Sequence, residues 1–185
     1  MLPGVKKELG EGEMVRRGFT LVELLVAMAV GSILLAIAIP GYAFLANTNR
    51  LAAVTNELVV ALQLARSEAV KRGQRVTVCK SANASSSSAS CSNAGGWQQG
   101  WLVFVDFGIR GVAESSDTVI HAYGGAPNAV ITAINFSQFV SYLPNGRSEG
   151  SSWLPNDTMR VCLAGNARKV IVNKTGRVRL ESASC

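Results

Sequence analysis

An apolar run near the N-terminus constrains this chain more than any other feature. From Phe19 to Asn49 the only charged residue is Glu23. The stretch Phe19 to Ile39 is about 21 residues, or roughly 31 Å as a helix at 1.5 Å per residue, enough to span the hydrocarbon core of a bilayer. Arg16 and Arg17 precede it and Lys6 and Lys7 lie further upstream, so the positive-inside rule leaves the N-terminus cytoplasmic and sends the rest of the chain outward. Three readings compete: a secretory signal peptide, a plain membrane anchor, or the leader and first helix of a filament subunit. Ala36-Ile37-Ala38 has the small-x-small form of a signal-peptidase site. Glu23 opposes the first two readings, because an ionisable group inside a membrane segment is costly and usually has a specific partner.

The residues Arg16-Arg17-Gly18-Phe19-Thr20-Leu21-Val22-Glu23-Leu24-Leu25 resemble the class III prepilin signal of type IV pilins and pseudopilins. The resemblance implies cleavage between Gly18 and Phe19 by prepilin peptidase, N-methylation of the new Phe19 amine, and Glu23 as the fifth residue of the mature chain. Pro40 falls where such proteins commonly carry a helix-kinking proline. The chemistry is coherent: Gly18 lets a protease approach the backbone closely, and Glu23 can neutralise the amine of a neighbouring subunit's Phe19 when both leave lipid for the filament core. The 18-residue leader is longer than that of many relatives. Met14 followed by Val15-Arg16-Arg17-Gly18 would make a more usual one, which makes Met14 a credible alternative start.

After Pro40 a narrower apolar stripe continues, with Leu51, Val54, Leu58, Leu62, Ala65 and Ala69 recurring at three- and four-residue steps. This half of the helix should pack on a sheet. Pro40 removes an amide donor and should kink the helix, and Gly73 after Lys71-Arg72 reads as its C-terminal cap. Strand-like runs follow at 75–80, 101–107, 118–123, 129–136, 139–143, 158–163, 169–173 and 177–181, separated by Gly, Asn, Pro and Ser. Residues 81–96 form a Ser-, Ala-, Asn- and Gly-rich loop. The expected architecture is α+β, a type IV pilin-like fold in which a long N-terminal α-helix packs against an antiparallel β-sheet domain. Its expected parts are a leader at 1–18, a hydrophobic membrane and filament-core helix at 19–46, and a domain at 47–185 holding the rest of the helix and the sheet.

Four cysteines, Cys79, Cys91, Cys162 and Cys185, lack the paired spacing of a zinc site, and the single histidine is His121. No metal or cofactor is expected. Two disulfides in an oxidising compartment are the simpler reading, and pairing Cys79 with Cys91 and Cys162 with Cys185 closes two local loops, each bridge contributing about 2 to 4 kcal/mol.

Gly146-Arg147-Ser148-Glu149-Gly150 matches the nucleophile-elbow pattern, which needs a strand before it, a helix after it and a histidine later in the chain. His121 comes earlier, and the flanking residues read as turns, so an enzyme is not expected. Trp97 and Trp101 could stack on bases, but the apolar run after Trp101 requires burial and reads better as a core strand.

The C-terminal stretch from Asp157 to Cys185 carries Arg160, Arg168, Lys169, Lys174, Arg177 and Arg179 against Asp157 and Glu181. Asn173-Lys174-Thr175-Gly176 reads as a turn, after which Arg177, Arg179 and Glu181 alternate with Val178 and Leu180, placing the two arginines on one face roughly 7 Å apart. Such cations suit a phosphodiester backbone, which is contacted without reading bases. With residues 63–69, 75–79 and 95–106, the chain resembles the GspH/FimT branch of minor pilins and pseudopilins, and Gly176-Arg177-Val178-Arg179 resembles the GRxR motif of its DNA-binding members. That resemblance implicates Arg177 and Arg179. Lys174, Arg168 and Lys169 join them on electrostatic grounds, while charges on an edge hairpin that merely deter aggregation are the competing explanation. The expected function is a minor type IV pilin that helps initiate or cap a pilus and binds DNA during natural transformation. The alternative is a GspH-like pseudopilin of a type II secretion system. Implied partners are other pilins, prepilin peptidase, DNA, and the inner membrane, which the chain crosses once with its C-terminus periplasmic before entering the filament.

Overall fold

The computed structural model describes residues 18–185; the leader before Gly18, with Met14, Arg16 and Arg17, lies outside the described residues. One helix, α1, runs Leu21–Arg72, and its assignment continues through Pro40. The chain divides into two units, one ending at Tyr42 and the other spanning Ala43–Cys185. In the first, the helix is long and apolar enough to cross a membrane, and its large apolar side chains lie outside any core, Phe19 being 84% exposed.

In the second unit α1 presents the expected stripe, with Leu51, Val54, Leu58, Leu62, Ala65 and Ala69 all buried, and Thr55 and Ala61 added to it. The buried Thr55 hydroxyl donates to Leu51 O at 2.6 Å, so a polar atom enters the core without losing its hydrogen bond. The helix ends as predicted: Gly73 adopts φ +65°, and the Gln74 amide donates to Ala69 O at 3.3 Å, the wider bond of a glycine C-cap.

Nine strands follow: β1 (Val76–Lys80), β2 (Trp101–Val105), β3 (Thr118–Tyr123), β4 (Val130–Thr132), β5 (Phe139–Tyr142), β6 (Ser148–Gly150), β7 (Asp157–Leu163), β8 (Asn166–Val172) and β9 (Val178–Ser184). They form two sheets, sheet A in the order β3-β2-β1-β5-β6 and sheet B in the order β4-β7-β8-β9. Every pairing is antiparallel, as expected. Strand β6 is an addition, since three residues inside Gly146–Gly150 are too short to show a period.

The two sheets differ in how they are covered. All residues of β1 and β2 are buried. Val76, Val78, Val103 and Val105 join the core with α1, while Cys79, Leu102 and Phe104 on the other face pack with Ala84, Ala89, Cys91 and Ala113 of the flanking loops. Sheet B instead alternates. In β7, Asp157, Met159, Val161 and Leu163 are buried and the residues between them are not, the signature of a sheet with one solvated face. Sheet B therefore has an open outer face, and the candidate site lies there.

Candidate functional site

The register of sheet B decides which basic residues share that face. Arg160 of β7 stands opposite Lys169 of β8, and Lys169 opposite Glu181 of β9. Ile171 pairs with Thr158 on one side and Arg179 on the other. Directly opposed residues point to the same face, so Arg160, Lys169 and Arg179 lie on the outer face, and Arg177, two residues before Arg179, joins them. Arg168 does not. It pairs with the buried Val161 and so belongs to the inner face. Its grouping with Lys169 is corrected, because neighbours along a strand point to opposite sides. Arg160 takes its place, and strand alternation in the run 158–163 was the signal that could have found it.

The turn before β9 is built to hold its position. Asn173 Oδ1 accepts hydrogen bonds from the Thr175 amide at 3.1 Å, the Thr175 hydroxyl at 2.7 Å and the Arg177 amide at 2.9 Å. The Gly176 amide donates to Asn173 O at 2.8 Å. Arg66 of α1 anchors the turn from below: its Nη2 donates to Thr175 O and its Nε to Gly146 O, both at 3.1 Å. Lys174 projects from this turn and is exposed.

Three clefts adjoin along the outer face. One is lined by Ile171, Asn173, Arg177 and Arg179. A second shares Ile171 and Asn173 and adds Lys174, Thr158 and Ile134. A third shares Thr158 and Ile134 and reaches Arg160 and Lys169. Together they form a track bearing five cations. Its carboxylates are few: Glu181 lies 3.2 Å from the Arg179 guanidinium in an exposed pair, worth little in water, and Asp157 is buried with its oxygens occupied by the Ile134, Phe136 and Thr158 amides.

The other motifs resolve differently. Trp97 forms a 3-10 turn, is buried, and donates its indole N–H to Phe136 O at 2.8 Å. Trp101 is buried in β2 and stacks on Tyr123 at 4.2 Å. Neither ring is presented to a base. Ser148 lies in β6, not at a strand-to-helix elbow, and its buried hydroxyl is within hydrogen-bond reach of Pro155 O at 2.5 Å and Asn173 O at 3.0 Å. His121 sits in β3, at the opposite edge of sheet A, four strand spacings or roughly 19 Å away. They cannot act as a pair.

The Cys79–Cys91 bridge is present, and it pins the 81–96 loop to the outer face of sheet A. The second expected bridge is not: Cys162 and Cys185 are free thiols. Cys162 lies on β7 and Cys185 just beyond β9, with β8 between them, and the Cys185 thiol donates to Asn166 O at 3.1 Å. Burial pushes the Cys162 thiol up, and a hydrogen bond with Cys185 pushes it further.

At the N-terminus Gly18 and Phe19 precede the helix. Thr20 caps it, its hydroxyl accepting from the Glu23 amide at 3.2 Å. Thr20 was not singled out in the sequence, although Thr-x-x-Glu before an apolar run is a helix-start signature. Glu23 thus stands in the first turn, where a negative charge complements the helix dipole, with its apolar neighbours exposed around it.

A capped apolar helix continuing into a domain of two antiparallel sheets defines a structural filament subunit, a type IV minor pilin or pseudopilin of the GspH/FimT kind. The comparisons agree. The family described as type II transport protein GspH matches residues 54–176, and the prokaryotic N-terminal methylation motif matches residues 14–39. This chain belongs to the GspH family. Two crystal structures of the Pseudomonas aeruginosa type IV minor pilin FimU, in space groups P21 and P65, share its fold at 18% identity, with TM-scores of 0.55 and 0.53. The alignments cover 72% and 71% of this chain and 90% and 92% of FimU. No curated protein matches.

Proposed function

We propose that this chain is a minor pilin that helps initiate or cap a type IV pilus and holds DNA without sequence selectivity during natural transformation. In this reading it is inserted in the bacterial inner membrane with its C-terminal domain periplasmic. It is cut by prepilin peptidase between Gly18 and Phe19, methylated on Phe19, and drawn into the filament with Glu23 neutralising a neighbour's Phe19 amine. The observation carrying the DNA assignment is the open outer face of sheet B, where Arg160, Lys169, Arg177 and Arg179 lie together beside Lys174. Cations without a base-reading element suit phosphate contacts.

The test is a titration of the full-length chain, in detergent micelles, with labelled single- and double-stranded DNA across a range of salt. With about four phosphate contacts, affinity should fall on the order of a hundredfold between about 50 and 200 mM salt. Replacing Arg177 and Arg179 by Gln should lower the salt slope by about two. Binding unchanged in that double variant would remove the DNA role. A second reading, a GspH-like minor pseudopilin of a type II secretion system with no DNA role, is favoured by the family match itself, which ends at Gly176, before both arginines. A gene neighbourhood of secretion components would support it, and one of pilus and competence genes the first.

A further inference from the structure

Strand β9 ends sheet B, and among the described residues no strand pairs with its second edge. In an antiparallel pair, alternate residues turn their N–H and C=O groups away from the partner, so β9 presents an open ladder seven residues, or about 24 Å, long. Natural edges of this length are usually blunted by proline, a bulge or a covering element. β9 contains no proline, its pairing with β8 runs from Val178 to Ser184 without a register shift, and among the described residues no side chain hydrogen-bonds to its backbone. Charge on its outer face is the single deterrent.

Beside this edge lies a cleft of about 610 Å³ between α1 and the start of β9, lined by Arg66, Val70, Lys71, Arg177 and Val178 among others. Its floor is apolar: Val178 lines it, Val70 is half exposed, and Leu180, next along the inner face of β9, is 43% exposed although it opposes the buried Val170. The sheet's inner face thus overhangs the helix that should cover it. Cations form the rim, and the nearest helical carboxylate, Glu68, is taken by Arg72 and Lys71.

We propose that β9 and this cleft form a docking site for an extended segment of another protein, added as a fifth strand to sheet B. The ladder supplies main-chain hydrogen bonds, and alternate side chains enter the cleft. Charge complementarity specifies the occupant: apolar residues on the side facing Val70, Val178 and Leu180, alternating with acidic residues on the opposite side, which meet Arg177 and Arg179. This site shares Arg177 and Arg179 with the DNA reading, but the open ladder and the inner-face cleft are its own.

The probe is a fluorescein-labelled nine-residue peptide of alternating Val and Asp, titrated by anisotropy against the full-length chain in detergent micelles. Saturable binding is expected, with slowed hydrogen exchange at alternate β9 amides. Methylating alternate peptide amides, in each of the two registers, should abolish binding in one register, and the Val70→Lys and Leu180→Asn variants should each weaken it at least tenfold. Both positions are at the surface, and unchanged exchange protection of β7 and β8 would verify that the variants fold. Equal binding by both methylated peptides, indifference to both variants, or no saturable binding would overturn the proposal. So would protection of β9 in the absence of peptide that rises with protein concentration, since the edge would then serve a second copy of this chain.

Discussion

Asn173 and Gly176 determine where the basic hairpin sits. Three donors converge on the Asn173 side-chain oxygen, and Gly176 holds φ +77° so close to the neighbouring turn that a Cβ would lie 2.1 Å from Gly146 O. Neither a left-handed backbone nor that approach suits a side chain, so Gly176→Ala should destabilise the domain by at least about 2 kcal/mol, read as a lower denaturant midpoint. Tyr142 is a second single-residue constraint. It is fully buried, and burial pushes its hydroxyl well above the usual tyrosine range, with Arg66 opposing this weakly. A folded pKa raised above the unfolded value means its contribution to stability is intact below about pH 10 and is lost as pH rises toward the folded value. Ultraviolet titration should find Tyr142 un-ionised until the chain unfolds in alkali. Tyr142→Phe, which removes a buried hydroxyl lacking a partner, should unfold at higher pH.

Elements were legible where their periodicity was long. The α1 stripe, the glycine cap and the apolar run of β2 follow from spacing alone. Strand β4 is shorter than the predicted 129–136 because Ala133 to Phe136 leaves the ladder, the Ile134 and Phe136 amides bonding to the Asp157 carboxylate instead. Burial on both faces of sheet A needs the 81–96 and 106–117 loops to close over it, and the Cys79–Cys91 bridge holds the first of these in place. The Cys79→Ser, Cys91→Ser double variant should therefore lose about 2 to 4 kcal/mol in chemical denaturation. Hydrogen exchange should rise first in β1 and the 81–96 loop and last in sheet B.

As a whole molecule, the chain divides its work between two units. Up to Tyr42 the helix keeps its apolar side chains outside any core, whereas from Ala43 onward the same helix is the hub around which both sheets pack. Glu23 belongs to the first. Its replacement by Gln preserves size and the Thr20 cap but removes the charge proposed to meet a neighbour's amine. The Glu23→Gln chain should still be cut at Gly18 yet be recovered from membranes rather than sheared filaments, as read by immunoblot of the two fractions. Incorporation at wild-type levels would rule out that role for Glu23.

Local chemistry determined the helix, its cap and most strand positions, because hydrophobic period and glycine geometry are properties of neighbours in the chain, and the class of protein came from the resemblance of residues 16–25 to the prepilin signal. Tertiary structure decided what distant segments share. Register placed Arg160 beside Lys169 and turned Arg168 inward. It brought Cys162 and Cys185 into hydrogen-bond contact across β8 as free thiols, and the edge position of β9 left a ladder open. None of these follows from spacing, because each depends on which strand lies next to which, and long-range pairing settles that.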